Sequence, residues 1–449
     1  MKDAKQKLSR EGLAGLSQSE LIELILTQQE QLKTLQQQVT DLNNRLTKYE
    51  NPHTPPSKRF GKRKAKKSKK KRGGLFGHKG ATRPVADPDE TIEAHAKSCP
   101  DCGGDDYEFT HTEERIIEEF IPSRVKATRF LIPHFSCNCG CHFQGVHEQL
   151  PQIGRFGIHV LVKVTALKYQ LRGVLRKIAE YLCYHDQLNL THKSIANLLS
   201  RVAGVCKGQY DQILIRLRGS PFVYMDETSM RVLGRNWWLW IFRTTRDILV
   251  VIRPSRGQGV LKEIFGDHPL PTGVCDGWKP YRLFPDIQRC WAHLLRIVDE
   301  AAEESLFARE FAQRIYECFQ YLKINLKKEL TPAEQWAHRH YLDDYLKNIV
   351  EQYKDVKELK KPIRYIENGA GHWFTCLTFQ GMQPTNNLAE QAIREHVIVR
   401  RIIGAFRSEK GAEEYQYIAS ILASWKLQNK NIFQELEKNL RENLCLKLA

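Results

Sequence analysis

The sequence predicts an α/β fold, and two patterns in its second half carry that prediction. Three short apolar and aromatic runs at 221–232, 237–242 and 248–254 are bounded by charged or turn residues. Such runs are typical of a three-strand antiparallel meander, in which we expect the first strand to be central. Residues 386–401 begin with asparagines that can cap a helix, and they continue as a helix.

Three acidic residues stand at notable positions in these elements. Asp226 is predicted to end the first strand, a further apolar step at 273–275 ends in Asp276, and Glu390 lies near the start of the predicted helix. Magnesium prefers hard oxygen ligands, and two such ions can support an in-line attack on phosphorus. Taken singly, however, each acid is better explained as a solvated group, a turn former or a cap.

Four segments change that balance, because they resemble the DDE transposases of insertion-sequence family 66. They read YMDETSMRV, CDGWKPYRLF, IQRCWAHLLR and TNNLAEQAIREHVIVRRIIGAFRSEKGA. The resemblance extends upstream through a leucine-rich helix, a basic NPHTPPSK stretch, a GHKG segment and a cysteine module. It implies a ribonuclease H-like catalytic domain at 219–430 with a helical insertion at about 297–375. It also implies that Asp226, Asp276 and Glu390 are the catalytic acids and hold magnesium or manganese.

The resemblance implies a transposase that cleaves and joins DNA strands by two-metal-ion phosphoryl transfer. Its partners would be double-stranded DNA with terminal inverted repeats, target DNA, a second copy of the chain and accessory proteins encoded by the element. Two other functions stay open. A ribonuclease H-like nuclease or resolvase would cut without joining, and a transposase-derived DNA-binding protein would lack catalysis. The presence of all three acids argues against the last of these.

Composition agrees with a nucleic-acid partner. The 449 residues contain 69 Lys and Arg against 52 Asp and Glu, which gives a formal net charge of +17. Such an excess favours a polyanion, most simply DNA, although part of it lies in one run. No stretch reaches the length of a membrane span and the first residues lack the apolar core of a signal peptide, so we expect a cytoplasmic, nucleoid-associated protein.

The first 50 residues predict a helix with heptad register. One heptad position holds Leu21, Leu35 and Leu42 with Gln28 among them, and the other holds Ile25, Leu32, Val39 and Leu46. A coiled coil between protomers is favoured, with Gln28 as a register-setting residue. A helix that packs its apolar stripe on its own chain is the alternative.

Residues 51–90 predict a disordered linker, since the run from Lys58 to Arg72 is too charged to pack. Nonspecific phosphate binding, with affinity that falls as salt rises, is its predicted function, and a simple solvated linker is the alternative.

Residues 91–150 predict a small zinc-binding module. Cys99 and Cys102 have the spacing of a zinc knuckle. The second pair of ligands is left open among Cys137, Cys139 and Cys141, with His142 as a further candidate, because these cysteines alternate instead of standing two residues apart.

Residues 151–218 predict a helical DNA-binding region. Thr191 is a plausible helix cap, and the apolar positions that follow it share one face: Ile195, Leu198, Leu199 and Val202. This pattern is compatible with a helix-turn-helix reader of DNA and equally with a helical bundle that connects two domains. Residues 431–449 are predicted to be a C-terminal tail.

Basic and aromatic residues near the acids predict contacts with phosphates or an unpaired base. They are Lys279, Arg289, Trp291, Arg296, Arg394, Arg400 and Arg401. Arg394 lies one turn from Glu390 and could pair with it instead. His293, alone, is more often a core or surface histidine than a ligand.

Overall fold

The computed structural model describes residues 17–49, 87–93, 101, 110–117, 123–147, 149–151 and 154–444. The chain divides into two compact units, Met1–Glu119 and Phe120–Ala449. Cys99, Cys102 and the basic run from Lys58 to Arg72 lie outside the described residues. Within the ranges described, no helix is both long and apolar enough to cross a membrane.

The first unit contains a 32-residue helix, α1 (Gln18–Tyr49), which confirms the helix predicted from the heptads. Ile25, Leu32, Leu35 and Val39 of its apolar stripe are each more than half exposed. Apolar side chains of this size usually leave water when a partner is present, so the stripe is available for self-association. The coiled coil itself stays a prediction.

The second unit begins with a small hairpin and three helices. The hairpin pairs β1 (His134–Ser136) with β2 (His142–Gln144). The helices are α2 (Ile158–Tyr169), α3 (Leu175–Asp186) and α4 (His192–Arg218). The cap predicted for α4 is confirmed, because the Thr191 side chain accepts a hydrogen bond from the Ser194 backbone N–H at 3.1 Å. The four predicted apolar residues of α4 are all buried.

A five-stranded mixed sheet follows, which confirms the α/β class. Its strands are β3 (Phe222–Val232), β4 (Arg235–Arg243), β5 (Ile248–Arg253), β6 (Thr272–Cys275) and β7 (Ile287–Arg289). Their order in the sheet is β5-β4-β3-β6-β7. The first three form the predicted antiparallel meander with β3 central, and β6 and β7 run parallel to β3.

Helices surround this sheet. Helix α5 (Gln258–Phe265) connects β5 to β6, and the helices that follow β7 are α6 (Trp291–Ala302), α7 (Leu306–Asn325), α8 (Pro332–Tyr353), α9 (Lys360–Glu367), α10 (Asn387–Ile403), α11 (Glu409–Leu427) and α12 (Ile432–Leu444). Within the predicted C-terminal tail, residues 432–444 form helix α12, and its Leu436 and Leu440 are buried in the core.

Alternate residues of the strands enter cores on opposite faces of the sheet. Val223 and Met225 of β3 pack in a core shared with α2–α5, α11 and α12. On the other face, Phe222 and Tyr224 pack with helices α6–α9, whereas Met230 and Val232 pack with α10 and α11. This second face thus carries two separate cores, and the middle of β3 lies at their junction.

Helix α11 covers the edge of the sheet formed by β5. Side-chain oxygens of Ser424, Ser420 and Gln416 accept the backbone N–H groups of Ile248, Val250 and Ile252 at 2.9, 2.8 and 3.0 Å. Their spacing of four residues follows the turn of the helix, whereas the N–H groups alternate along the strand. An edge strand with unpaired N–H groups can pair with a strand of another chain. This ladder of three hydrogen bonds from α11 prevents such pairing, because it occupies those N–H groups.

Ser420→Ala is expected to lower the free energy of unfolding by about 1–3 kcal/mol, because the Val250 N–H is then buried without an acceptor. Urea denaturation of the full chain measures this change. Ser200→Ala, in α4, replaces a serine whose hydroxyl is not bonded to a strand and should change stability by less than about 0.5 kcal/mol. Equal effects of the two substitutions would show that the ladder contributes nothing.

Candidate active site

The parallel pairing of β3 with β6 sets the relative positions of two aspartates. Tyr224 pairs with Val274, and this is the last pair of the two strands. The same register, continued by two residues, brings Asp226 level with Asp276, which directly follows β6. The sequence predicted that Asp226 ends its strand, and this is wrong. Strand β3 continues to Val232, paired with β4.

The strand pleat places Asp226 on the face that carries two cores. Side chains two or four residues apart in a strand share one face, so Asp226 lies on the same face as Tyr224 of one core and Met230 of the other. Its Oδ1 accepts the backbone N–H of Glu227 at 2.9 Å. The carboxylate therefore lies at the junction of the cores, where helices approach from both sides.

A glycine turn positions Asp276. Its Oδ1 accepts the Trp278 backbone N–H at 2.8 Å, and the intervening Gly277 has φ +90°. A Cβ on Gly277 would lie 2.0 Å from the guanidinium carbon of Arg289, so no other residue fits this turn without a shift. The Tyr365 hydroxyl donates to the Asp276 carbonyl oxygen at 2.9 Å and holds the turn from the other side.

Helix α10 presents Glu390 from its first turn and is fastened to the sheet at its beginning. Asn386 Nδ2 donates to the Met225 carbonyl at 2.7 Å, and the Arg243 guanidinium donates to the Leu388 carbonyl at 2.9 Å. Ala389 packs in one of the two cores and Ile393 in the other. Glu390 thus lies at the same junction as Asp226.

The surroundings of Asp226 disfavour its ionised form. Burial, followed by the negative charges of Glu227, Asp276 and Glu390, raises the pKa of Asp226 to about 8. Desolvation and like charges both disfavour the ionised form. A bound divalent cation would remove this penalty, so the cluster has the chemistry of a cation site for hard ions.

Glu227, next to Asp226 in sequence, has a different role that the sequence did not reveal. It lies on the opposite face of β3, where Arg256 pairs with its carboxylate at 2.7 Å and the Tyr281 hydroxyl donates to it. The Arg256 guanidinium also lies over the rings of Trp238 and Trp278, at 4.7 and 4.0 Å from their centres. This network gives the Glu227 carboxylate a cation and a hydroxyl as partners and fixes the loop that follows Asp276.

Glu390 also adjoins a second set of side chains. Its Oε1 lies 3.7 Å from His293 Nδ1, and Cys290 completes a group whose ligand atoms are all within 4.8 Å of one another. Among the described residues, this is the group of potential metal ligands whose atoms lie this close together, and neither Asp226 nor Asp276 belongs to it. Glu390 therefore lies beside Cys290 and His293, and its charge also contributes to the raised pKa of Asp226.

Most of the predicted DNA-contacting cations are exposed to solvent. Lys279, Arg296, Arg394 and Arg401 are exposed. Arg400 is half-buried, and its guanidinium donates to Thr228 Oγ1 at 3.0 Å and Ser229 Oγ at 2.8 Å, two hydroxyls that follow Asp226 on β3. It is thus fixed beside the acids.

Arg289 and Trp291, which were also predicted to contact nucleic acid, lie in the interior. Trp291 is fully buried and its indole N–H donates to the Trp373 carbonyl at 2.7 Å. Arg289 is 5% exposed, and its guanidinium lies over the rings of Tyr365 and Trp373. Arg289 thus packs against the Gly277 turn, whereas Trp291 packs among Phe319, Trp373 and Phe374, so its buried ring has no free face for a base.

Three of the five predicted zinc ligands can be located. Cys137, Cys139 and Cys141 are exposed at the tip of the β1–β2 hairpin, where the Cys137 N–H donates to the Cys141 carbonyl at 2.8 Å. Hydrogen bonds from the backbone and side chain of Cys139 lower the pKa of the Cys137 thiol. Zinc binding at this tip stays a prediction, since Cys99 and Cys102 are not among the described residues.

The sequence was also compared with known protein families. The family model described as "Transposase IS66 family" matches residues 154–414, more than half of the chain. The chain belongs to the IS66 family of transposases. No curated protein matches it. The IS66 match includes Asp226, Asp276 and Glu390, whereas α1 and the cysteine module precede it. Family membership assigns the protein to the DDE transposases and implies that it binds DNA.

The raised pKa of Asp226 predicts how pH affects stability in magnesium-free buffer. The folded protein retains this proton up to about pH 8, whereas the unfolded chain loses it near the ordinary value of 3.8. Stability from this group is therefore lost as pH rises between these values. Thermal unfolding at about pH 5 and pH 8 should show a smaller decrease for Asp226→Asn than for wild type. Asp267→Asn, at an exposed aspartate, is the control, and an unchanged pH dependence in Asp226→Asn would contradict the burial of this charge.

Proposed function

We propose that this protein is a DNA transposase that cleaves strands at the ends of an insertion sequence and transfers them into target DNA by two-metal-ion catalysis. The observation that carries the proposal is the register of β3 and β6, which brings Asp226 level with Asp276 on the face of β3 against which α10 packs with Glu390 in its first turn. Burial, and then the charges of Glu227, Asp276 and Glu390, raise the pKa of Asp226. Its action on DNA would place the protein at the nucleoid of the cell.

The topology of the sheet supports a ribonuclease H-like catalytic domain. A meander whose first strand is central and is followed by two parallel strands gives the order β5-β4-β3-β6-β7, and the resemblance to DDE transposases leads to the same fold. Helices α6–α9, which lie between the second and third acids, would be the helical insertion of that fold.

The donor set fits magnesium or manganese. Asp226, Asp276 and Glu390 offer hard carboxylate oxygens, and carboxylates that hold two ions about 3.5–4 Å apart need not surround a single point. When bound, these ions would lower the barrier to attack by water or a 3′-hydroxyl and stabilise the leaving oxygen. The protein residues would hold the reacting phosphate in line with that attack.

Around the acids, the exposed cations would position the DNA backbone. Arg394 follows Glu390 by one helical turn on α10, and Arg400 is held against the β3 hydroxyls. Lys279, in the loop after β6, and Arg296, on α6, are also exposed. Each neutralised phosphate releases counterions, so these contacts would contribute affinity without reading sequence.

The regions outside the catalytic domain have separate proposed roles. Helix α1 would join protomers through its exposed stripe, the basic run would bind phosphates, and the cysteine module would hold one structural zinc. Helices α2–α4 would contact DNA. Nuclease or resolvase activity without joining is the competing function, and a strand-transfer assay on DNA with the flanking terminal repeats separates it from transposition.

Asp226→Asn, Asp276→Asn and Glu390→Gln are each expected to reduce DNA cleavage by at least about 10³-fold, because the acids act as one unit. DNA binding should change little, since exposed cations provide most of the affinity. A cleavage assay and a gel-shift assay measure the two effects, with Asp267→Asn as the matched control. Normal cleavage by any one of the three variants would remove that residue from the site.

Two truncations of the amino-terminal arm should have different effects. Deletion of residues 1–50 is expected to reduce complexes that pair two DNA ends more than binding to a single end, because α1 would link protomers. Deletion of residues 57–72 should weaken binding to all DNA and flatten its salt dependence. Light scattering and salt titrations measure these effects. If the protein without residues 1–50 is still fully multimeric, the heptads pack on their own chain. If the protein without residues 57–72 keeps the salt dependence of wild type, the basic run is only a linker.

A further inference from the structure

The side chains beside Glu390 differ in chemistry from the other acids. Cys290 is the residue that precedes α6, His293 lies in the first turn of that helix, and Glu390 reaches them from α10. Residues three apart at a helix start share one face, so Cys290 and His293 both face Glu390. A sulfur, a nitrogen and an oxygen ligand atom thus lie within 4.8 Å of one another.

Two of these atoms have no hydrogen-bond partner. His293 Nδ1 and Glu390 Oε1 are both buried and unpaired, although they lie only 3.7 Å apart. Buried polar atoms almost always have a partner, so an unpaired donor or acceptor needs an explanation. Two such atoms that face each other at this distance have room between them for a group that both can bind.

The chemistry of the three ligand atoms indicates which kind of ion they would bind. Zinc is bound by cysteine sulfur, histidine nitrogen and carboxylate oxygen at about 2.0–2.3 Å, which places ligand atoms in a tetrahedral site roughly 3.5 Å apart. Magnesium prefers oxygen alone. Small side-chain movements would bring the three atoms from the observed spacing to that of a zinc site.

The surroundings allow an ion to enter. Cys290 is fully buried, whereas the side chains of His293 and Glu390 are each about 30% exposed, at 29% and 30%. His293 Nδ1 and Glu390 Oε1 are themselves buried, so an ion would enter by displacing these two partly exposed side chains. Three protein ligands would leave a fourth position for a water or a phosphate oxygen.

We propose that Cys290, His293 and Glu390 form a binding site for zinc or a similar borderline-soft divalent ion, next to the magnesium site and sharing Glu390 with it. Occupancy by zinc withdraws Glu390 from the two aspartates. Zinc is then an inhibitor of magnesium-supported cleavage, and this consequence, unlike the binding itself, rests on the proposed function.

Cobalt(II) titration of the full-length protein tests the binding, because a cobalt–thiolate bond has its own charge-transfer absorption. Relative to wild type, Cys290→Ala should lose about one bound ion and its share of that absorption. His293→Ala should weaken the same ion by at least about tenfold, the cost of losing even an outer-shell partner. The Asp226→Asn, Asp276→Asn double variant should keep the ion, which separates this site from the magnesium site.

Cys318→Ala is the matched control, since Cys318 is also buried but lies in α7, away from Glu390. Its cobalt binding should equal that of wild type. The proposal is overturned if Cys290→Ala and wild type bind the same number of ions with the same affinity, or if Cys318→Ala loses as much as Cys290→Ala. Neither result depends on whether the protein cleaves DNA.

The inhibitory consequence has its own test. With magnesium-supported cleavage as the readout, the zinc concentration that halves each protein's own rate should be at least about tenfold higher for Cys290→Ala than for Cys318→Ala. Equal inhibition of the two variants would show that zinc acts elsewhere and would overturn the sharing of Glu390. If wild type binds the ion as expected but does not cleave DNA with magnesium, that result counts against the proposed function alone.

Discussion

The parallel pairing of β3 with β6 is the interaction on which the rest of the site depends. Because β6 stops at Cys275 while β3 continues, the register that pairs Tyr224 with Val274 leaves Asp226 and Asp276 level with each other just past the shorter strand. A slip of one residue would turn Asp226 to the opposite face of the sheet. The hydrophobic residues on both faces of β3 oppose such a slip, so core packing and site geometry have the same cause.

This arrangement concentrates negative charge in a partly desolvated place, which is unfavourable by itself. The raised pKa of Asp226 is the sign of that strain. The surrounding structure maintains it, because Asn386 and Arg243 hold α10 on the sheet, and Arg256 pairs with Glu227 on the opposite face of β3. Charge that is confined in this way is available for cations, since binding an ion relieves the repulsion that folding imposes.

Local patterns in the sequence predict several parts of this protein. The meander, the Thr191 cap and the buried face of α4 depend on alternation, capping chemistry and helical spacing, and all are confirmed. These patterns do not predict that α12 packs into the core or that Trp291 is interior. A tryptophan among basic residues has the same sequence signature whether it stacks on a base or fills a core, and only the neighbouring helices α7 and α9 with the Trp373 segment decide between them.

By itself, the sequence determined the α/β class, the antiparallel meander and, through its resemblance to the IS66 family, which three acids to examine. These features depend on local periodicity or on motifs that one stretch of chain contains. Only the tertiary structure decided which acids share a face, that Glu227 pairs with Arg256, and that Glu390 also lies beside Cys290 and His293. The reason is physical: register and helix docking join residues far apart in the chain, and the charge and burial of a side chain depend on those distant neighbours.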